Sequence, residues 1–408
     1  MSAPAIRSLL FSTLYPSSVR EVHGVFVETR LRELLRRGDV QARVLAPVPW
    51  FFSGHARFGS YALQARTPRF EHRNGIDVFH PRYPLLPKVG MTVAPFLLAA
   101  AALPAARAIA AQGFDFDLID AHYLYPDGVA AALLAGWLRK PFVVTARGSD
   151  VTLVGNHALP RALMRWAAAR ASAVCGVSRS LVDTLQSWGV APTKLHVLRN
   201  GVDLERFTPL PVDASREALA LRGAPVLLMV GHLVELKGHA IVIDALPELL
   251  RSFPGLQLVI VGDGPERARI EARVARLGLQ PQVRLAGAVP HESLARWYSA
   301  ADLLVLASSR EGWPNVLLEA MACGTPVVAI RCGGVPEIVT SADAGCLVEA
   351  REPAALAHAI AGQLRRRVPR ERVRGHAERF GWKATSEAQV ALFAAAVLPR
   401  EGRPACAT

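Results

Sequence analysis

The strongest constraint on the fold is an alternation of short apolar runs with longer helix-like segments, which occurs in both halves of the chain. Each short run is bounded by Gly, Pro or polar residues, as is typical of a buried strand. The predicted strands are residues 6–11, 42–46, 118–122, 142–145 and 173–177, then 226–230, 256–261, 283–285, 303–307 and 326–330. Strand–helix–strand repetition predicts parallel sheets covered by helices. Two such sets predict an α/β protein with two Rossmann-like lobes.

The boundary between the two lobes is predicted where this alternation stops. Residues 200–211 contain one Gly and two Pro and fit neither a strand nor a helix. The length of 408 residues also fits two domains. We therefore expect an N-terminal lobe over residues 1–205 and a C-terminal lobe over residues 206–383.

Positive charge is concentrated in the first half of the chain. The net charge is +13, and residues 1–200 contain 23 Lys and Arg against 12 Asp and Glu, a net of +11. Such a half fits an anionic membrane, nucleic acid or a phosphorylated substrate, and equally a solvated Arg-rich surface. No recognition-helix motif accompanies it, so nucleic acid is not expected. The Arg-rich run at residues 365–374 is interpreted as a solvated helix face and turn.

Cysteine content and apolar stretches indicate the cellular setting. The cysteines are Cys175, Cys323, Cys332, Cys346 and Cys406. They form no C-x-x-C pair, so we expect a reduced cytosol rather than disulfides. Residues 1–11 lack the pattern of a signal peptide. Residues 91–111 are apolar and long enough to span a bilayer, but they contain two Pro and one Arg, which favours a buried or interfacial helix.

Two carboxylates flank a Gly/Pro turn at the end of a predicted strand. Glu311 lies in the turn, and Glu319 lies about two turns into the following helix. The start of that helix offers free backbone N–H groups, which together with the helix dipole suit a diphosphate. The spacing fits binding of sugar and ribose hydroxyls, and it also fits an ordinary loop acid with a helix-face acid.

This segment resembles the E-x7-E signature of glycosyltransferase family 4. The flanking residues also match, reading E-G-x-P-N-x-x-x-E-A-M-A-x-G-x-P-V-V-A over residues 311–329. The resemblance extends over residues 6–393. It implies a GT-B fold, in which the parallel sheets of two Rossmann-like lobes face each other across a cleft. It also implies that a last helix, over residues 384–398, packs back on the N-terminal lobe.

The same resemblance assigns roles to these residues. It implies that Glu311 lies near the donor sugar and that Glu319 binds the ribose of the nucleotide. The donor site would also include Gly312 and the backbone N–H groups of three helix-start residues. Those three residues are Asn315, Val316 and Leu317.

A second stretch, residues 231–238, resembles the family pattern G-R-L-x-x-x-K-G. By itself a Lys in such a loop is usually a solvated charge. The resemblance implies that Lys237 neutralises the departing diphosphate. His232 stands where the family usually has Arg, and it is a weaker donor ligand unless it is protonated beside a phosphate. The turn at residues 333–337 resembles the G-G-x-P-E loop of the family.

The N-terminal lobe has candidate residues at the ends of its predicted strands. Gly24 allows close backbone approach to the donor, or is a plain turn residue. His122 either orients a sugar, as a third catalytic residue in addition to Glu311 and Lys237, or has a structural role. Arg147 stands where many relatives carry His, and it cannot act as a general base. Arg147, Asp127 and Asp150 are predicted to contact the acceptor or sugar.

Together these features resemble the capsule, exopolysaccharide and teichuronic-acid-type branch of the family. The resemblance implies a retaining, metal-independent hexosyltransferase-type enzyme that uses a nucleotide diphosphate sugar, with UDP favoured, and a saccharide or lipid-linked hydroxyl acceptor. The nucleotide-sugar is a substrate, so no cofactor and no metal are expected. We expect a cytoplasmic protein, peripheral on the inner face of the membrane. The alternatives are a catalytically silent sugar-nucleotide-binding subunit and a sugar-nucleotide epimerase of the same fold.

Overall fold

The computed structural model describes residues 5–85 and 90–398, which form two compact units. One unit contains the residues up to Arg199 together with those from Lys383 onward, and the other contains Asn200–Trp382. The division thus falls a few residues before the predicted boundary. Cys406 and the first four residues of the stretch tested for a signal peptide lie outside the described residues.

The described part of the N-terminal unit has ten strands: β1 (Ile6–Phe11), β2 (Val40–Leu45), β3 (Val48–Pro49), β4 (Phe70–Arg73), β5 (Ile76–Phe79), β6 (Arg82–Tyr83), β7 (Leu118–His122), β8 (Phe142–Ala146), β9 (Ala173–Gly176) and β10 (Leu195–Val197). Eight of them form one sheet in the order β10-β9-β8-β7-β1-β2-β5-β4. Neighbouring strands of this sheet are parallel except β4, which runs antiparallel to β5. Strands β3 and β6 form a separate parallel pair. The strand order reverses between β1 and β7, which makes this pair the topological switch point of the unit.

The helices of this unit include the last helix of the chain. They are α1 (Val25–Leu35), α2 (Ser60–Arg66), α3 (Gly90–Ala111), α4 (Val129–Leu138), α5 (Ser149–Thr152), α6 (Ala158–Arg170) and α7 (Arg179–Ser187), followed at the C-terminal end by α16 (Trp382–Val397). Phe393 of α16 is 1% exposed and shares a core cluster with Leu34 and Leu118. Burial of this apolar side chain in the core of the N-terminal unit holds the last helix there.

Helix α3 contains the apolar stretch noted in the sequence. It is the one helix in the described part of the chain that is long and apolar enough to cross a membrane by length and composition. Leu98, Ala102 and Ile109 are fully buried inside the unit, whereas Phe96 is 47% exposed. The helix is therefore a core helix with one face at the surface.

The C-terminal unit has a six-stranded, wholly parallel sheet in the order β13-β12-β11-β14-β15-β16. Its strands are β11 (Val226–Val230), β12 (Gln257–Val261), β13 (Val283–Gly287), β14 (Leu303–Leu306), β15 (Val327–Ile330) and β16 (Gly345–Val348). Its helices are α8 (Val212–Ala218), α9 (His239–Ser252), α10 (Arg267–Arg276), α11 (Leu294–Ala300), α12 (Asn315–Ala322), α13 (Val335–Ile338), α14 (Pro353–Arg366) and α15 (Arg370–Ala377). Here the strand order reverses between β11 and β14, the second switch point of the molecule.

The interpretation of the Arg-rich run as wholly solvated was wrong for two of its members. Arg374 donates through Nη1 to the carbonyl oxygens of Ala322, at 2.7 Å, and Phe207, at 3.0 Å. Arg370 donates through Nη2 to the carbonyl oxygen of Ala301 at 2.6 Å. These guanidinium groups satisfy backbone carbonyls at the ends of other elements, which a helix-face interpretation does not consider.

Candidate functional site

The C-terminal unit brings Lys237 and Glu311 together at its switch point. Lys237 lies in the loop after β11, and Glu311 lies in the loop after β14, the strand hydrogen-bonded to β11. The Lys237 Nζ lies 2.6 Å from Glu311 Oε1, and the two side chains are 24% and 10% exposed. Loops at such a reversal of strand order are where open α/β sheets bind ligands. The fold therefore joins two predicted residues that are 74 positions apart in the chain.

Glycines allow the loops at this point to pack backbone against backbone. Gly333 has φ +47, and a Cβ added there would lie 1.8 Å from the carbonyl oxygen of Glu311. Gly238 has φ +72, and its Cβ would lie 2.3 Å from the carbonyl oxygen of Ala307. Gly334 N–H also donates to the Glu311 carbonyl at 3.3 Å. The G-G-x-P-E loop thus supports the backbone of Glu311, and a side chain at Gly333 would displace that backbone.

The start of α12 presents part of the predicted row of backbone donors. Asn315 and Val316 are the first two residues of the helix, where N–H groups have no partner within the helix. The Leu317 N–H, however, donates to the Pro314 carbonyl at 3.1 Å. The three predicted donors are therefore reduced to two in this conformation. Gly312 lies beside them, partly exposed.

Asn200, which was not predicted as a site residue, is hydrogen-bonded to the residues at the start of α12. Its Nδ2 donates to the Asn315 side-chain oxygen at 3.3 Å, and its backbone carbonyl accepts from Trp313 Nε1 at 3.0 Å. Asn200 belongs to the N-G-V-D stretch, which was interpreted only as the break between the lobes. The signal was therefore present, but its partners lie more than a hundred residues away.

Glu319 is fixed by two side chains that no motif indicated. It is 8% exposed, and its Oε2 accepts from the Tyr298 hydroxyl at 2.7 Å. Its Oε1 lies 3.4 Å from His291 Nε2. Burial, together with the nearby Glu319 charge, raises the pKa of Tyr298 well above its ordinary value, so Tyr298 remains a donor. The better-bonded oxygen is Oε2, which leaves Oε1 as the oxygen for a ligand hydroxyl.

His291 is oriented by Arg206 on its other side. Arg206 Nη1 lies 3.1 Å from His291 Nδ1, and a guanidinium group can only donate. Nδ1 is therefore the acceptor, and Nε2 carries the proton that points at Glu319. The arrangement holds the Glu319 carboxylate in one orientation.

Two histidines lie on the Lys237 loop and differ in burial. His232, the residue that stands where Arg is usual, is exposed. His239, the first residue of α9, is 4% exposed. Burial, together with the nearby charges of Lys237 and His232, lowers the pKa of His239 to about 4. At neutral pH His239 is therefore uncharged, whereas Lys237 contributes a positive charge to this loop.

In the N-terminal unit, Gly24 begins α1 with φ +74. A Cβ at Gly24 would lie 2.4 Å from the backbone carbonyl of Leu14, in the loop that follows β1. The conformation and the close contact both require glycine. The residue thus brings the start of α1 against the loop at the β1 end of the switch point.

Asp127 and Asp150 are both fully buried. Asp127 accepts from the Thr13 N–H at 2.7 Å and from the Ser12 hydroxyl at 3.3 Å. Asp150 accepts from the N–H groups of Leu124, at 2.7 Å, and Gly148, at 2.8 Å. Burial raises the pKa of Asp127 to about 7. Both carboxylates bind the loops of the unit together, and this geometry gives no support to their predicted contact with an acceptor.

His122 is 1% exposed, and both of its ring nitrogens have partners. Its Nε2 lies 3.1 Å from Asp120 Oδ2, and its Nδ1 contacts the guanidinium of Arg147. Because Arg147 donates, Nδ1 accepts and Nε2 carries the proton. Burial lowers the pKa of His122 to about 4. His122 is thus a buried, neutral residue with both ring nitrogens bonded to protein groups, and this geometry gives no support to its predicted catalytic role.

The Asp120 carboxylate connects this pair to the last helix of the chain. Asp120 Oδ2 also accepts from Gln389 Nε2 at 3.1 Å. Gln389 Oε1 in turn accepts from Nε of the buried Arg30 at 2.8 Å. Helix α16 therefore contributes a hydrogen bond to the network behind His122. Within the described ranges no group of three or more His, Cys, Asp or Glu side chains is arranged to hold a metal ion.

Comparison with known proteins adds two family models that follow one another along the chain. The model of glycosyl transferases group 1 matches residues 212–380, and that of Glycosyltransferase Family 4 matches residues 61–206. The chain is 31% identical over 364 residues to the putative teichuronic acid biosynthesis glycosyltransferase TuaC of Bacillus subtilis, covering 87% of this chain and 88% of that protein. It is 33% identical over 315 residues to D-inositol 3-phosphate glycosyltransferase 1 of Catenulispora acidiphila, covering 71% and 75%.

Solved structures show the same fold at lower identity. HepE of Anabaena in complex with UDP has a TM-score of 0.72 at 21% identity, covering 96% of this chain and 99% of that one. Sucrose-phosphate synthase from Thermosynechococcus elongatus has a TM-score of 0.75 at 22% identity, covering 96% and 98%. At these identities the likeness concerns the fold.

Proposed function

The chain belongs to the group 1 glycosyl transferases, with a family 4 region in its first half and the GT-B fold predicted from its sequence, and on this premise we propose its reaction. It transfers a sugar from a nucleotide diphosphate sugar to a hydroxyl acceptor, and it retains the anomeric configuration. The C-terminal unit binds the donor. The observation that carries the proposal is the Lys237–Glu311 pair beside the start of α12.

This pair supplies what departure of a nucleoside diphosphate requires. Negative charge develops on the diphosphate as the bond to the sugar breaks. The Lys237 ammonium and the N–H groups of Asn315 and Val316 stabilise that charge from fixed positions. A positioned donor of this kind is worth roughly a hundredfold to a thousandfold in rate. Glu311, beside the Lys237 ammonium, holds hydroxyls of the donor sugar, and Glu319 Oε1 holds a ribose hydroxyl.

Retention is proposed from the E-x7-E resemblance and fits the chemistry of this pair. The Glu311 carboxylate is paired with the Lys237 ammonium at 2.6 Å. The protein's contribution is therefore assigned to stabilising the leaving group, with departure and acceptor attack on the same face of the sugar. The anomeric configuration of the product, read by proton NMR, tests this. An inverted product would contradict it.

The donor and acceptor classes are proposed from the relatives. HepE was solved with UDP and with UDP-glucose, which favours a UDP-sugar here. TuaC, which aligns along most of the chain, is named for teichuronic acid biosynthesis. We assign the acceptor to a saccharide or lipid-linked saccharide in exopolysaccharide or cell-envelope glycan synthesis, and the protein to the cytoplasmic face of the membrane. The net charge of +11 over residues 1–200 supports attraction to that surface.

A thermal-shift screen against UDP-, GDP- and ADP-sugars tests the donor site. We expect one donor, a UDP-sugar, to raise the melting temperature, and Lys237→Ala and Glu319→Ala to abolish the increase. Arg331→Ala, which removes a surface ion pair of the same unit, is the matched control and keeps the increase. EDTA is expected to leave it unchanged, because Lys237 and the N–H groups neutralise the diphosphate.

The outcomes separate the alternatives. No stabilisation by any donor at millimolar concentration would contradict the donor site as assigned. Stabilisation without transfer to any acceptor would favour the silent sugar-nucleotide-binding subunit. An epimerised donor in the product mixture would favour the epimerase.

A further inference from the structure

An aromatic cluster covers the surface of the N-terminal unit between β3 and α2. Residues 50–61, here called the aromatic segment, contain five aromatic residues among twelve. They are Trp50, Phe51, Phe52, Phe58 and Tyr61. None is buried, and Trp50, Phe52 and Tyr61 are 59%, 66% and 51% exposed. Single exposed aromatic residues are ordinary, but a contiguous group of this kind marks an interaction surface.

The rings pack on one another at the surface. The Phe51 ring lies 4.5 Å from Phe52, 5.3 Å from Phe58 and 5.2 Å from Tyr61, measured between centroids. The segment is also fixed at both ends of its loop. Trp50 N–H donates to the Tyr83 carbonyl at 2.7 Å, and Arg66 Nε donates to the Gly54 carbonyl at 2.8 Å. The cluster is therefore preformed and does not need a partner to order it.

The sequence around the aromatic segment carries positive charge and no negative charge. Residues 40–70 contain four Arg and no Asp or Glu. Arg57, Arg66 and Arg69 are exposed. The Arg57 guanidinium lies 4.7 Å from the centre of the Phe58 ring, so a cation sits at the edge of the aromatic surface. Exposed aromatic rings bordered by Arg match the interface of an anionic bilayer, where rings lie at headgroup level and guanidinium groups meet phosphates.

We infer that the aromatic segment is the membrane-docking surface of the protein, and that it inserts its rings into the headgroup region of an anionic bilayer. The inference deepens the proposed function by assigning the membrane contact to named residues. It rests on that function only for its purpose, which is to bring the enzyme to a lipid-linked acceptor. Binding to lipid is measurable without any transfer reaction.

A second copy of the chain fits this surface less well than a bilayer does, and helix α3 is a poorer membrane surface than the aromatic segment. In a symmetric dimer the same patch would face itself, which would bring the Arg side chains of two copies together with no acid from residues 40–70 between them. Helix α3, the apolar stretch singled out in the sequence, offers a poorer membrane surface. One of its faces is buried in the unit, and among its described side chains Phe96 is the large apolar one that is exposed. An anionic bilayer is the partner that satisfies both the rings and the charges.

Vesicle flotation of the purified 408-residue chain tests the inference. The vesicles contain phosphatidylcholine with 30% phosphatidylglycerol, or phosphatidylcholine alone. We expect Trp50→Ser/Phe52→Ser to lower partitioning onto the anionic vesicles by about tenfold or more, because the variant loses two rings that insert at the interface. Phe96→Ser on α3 and Trp137→Ser, which is 47% exposed elsewhere on the unit, are matched controls and are expected to change it less than twofold.

A second variant tests whether the Arg side chains attract the segment to anionic lipid. Arg57→Gln/Arg69→Gln is expected to weaken binding and to reduce its dependence on salt. Unchanged binding and unchanged salt dependence in this variant would overturn the assignment to an anionic surface. Equal flotation of Trp50→Ser/Phe52→Ser and the wild type, or loss of flotation in Phe96→Ser alone, would overturn the assignment to the aromatic segment.

Two further measurements keep the result interpretable. The donor-induced thermal shift should persist in Trp50→Ser/Phe52→Ser, which shows that the variant is folded and separates this inference from the proposed function. Failure of every vesicle to bind the wild type, with a concentration-dependent dimer in sedimentation that the double variant abolishes, would assign the surface to a second copy and overturn the membrane assignment.

Discussion

The two units use the same topological position in different ways. In each, the strand order reverses at the centre of a parallel sheet, and polar residues follow the two strands that meet there. In the C-terminal unit the charged side chains of Lys237 and Glu311 remain partly exposed. In the N-terminal unit His122 and Asp127 are buried and bonded to protein groups.

This difference shows that a polar residue at a strand end is not by itself a ligand contact. Where loops approach through glycine backbones, as at Gly238 and Gly333, polar side chains are left to face a ligand. Where a carboxylate joins the loops, as at Asp127, the polar side chain forms its hydrogen bonds within the protein and stabilises the fold. The predictions that follow test this division.

The largest effect is expected from Lys237→Ala. Loss of the ammonium removes charge stabilisation from the leaving diphosphate, so kcat should fall roughly a hundredfold to a thousandfold. Steady-state kinetics with a UDP-sugar measures this. The stability change should be small, because the ion pair with Glu311 is partly exposed to solvent. A variant that keeps kcat within tenfold of the wild type would contradict the role of this loop.

Asp127→Asn should show the opposite pattern. It replaces a buried carboxyl group that accepts from Thr13 and Ser12 with an amide, whose NH2 group cannot accept, and a buried polar group left without its partner costs about 2 kcal/mol. We expect that decrease in the free energy of unfolding, measured by urea denaturation, with kcat within threefold of the wild type. If kcat falls steeply while stability is unchanged, Asp127 contacts a substrate and the comparison between the units fails.

The fold was predictable because its central strands are continuous apolar runs. All ten predicted strands are present. The strands that were missed include β4 and β5, which are joined at the sheet edge; β4 alternates exposed with half-buried residues, and β5 alternates buried with half-buried residues. An edge hairpin of this composition has a weak apolar pattern. Whether its residues form strands therefore depends on pairing with the neighbouring strand of the sheet.

The site was predictable only where a local motif marks it. Lys237 and Glu311 each lie in such a motif, and the fold joins them. Tyr298 and His291 were missed because they reach Glu319 from other elements, 21 and 28 residues away in the chain. Likewise, the use of Asp127 depends on Thr13, which is 114 residues away. Which side chain satisfies a buried carboxylate is decided by tertiary contact, and no local pattern records it.

The smallest expected effect compares one histidine from each unit. Burial lowers the pKa values of His122 and His239 to about 4, from an ordinary value near 6.5. Between these values the unfolded chain binds more protons than the folded one, so the free energy of unfolding falls as the pH drops from about 6.5 toward 4. We expect His122→Gln and His239→Gln each to make this slope shallower, by at most about 1.4 kcal/mol per pH unit. Urea denaturation at a series of pH values measures it.

Addition of UDP should separate the two histidines. A diphosphate bound at Lys237 places negative charge near His239 and raises its pKa, because an anion favours the protonated ring. His122, enclosed by Asp120 and Arg147 in the other unit, should not respond. NMR titration of the ring protons, assigned from the signals missing in the two variants, distinguishes them. A pKa that rises for His122 and stays fixed for His239 would place the diphosphate at the N-terminal switch point and reverse the division between the units.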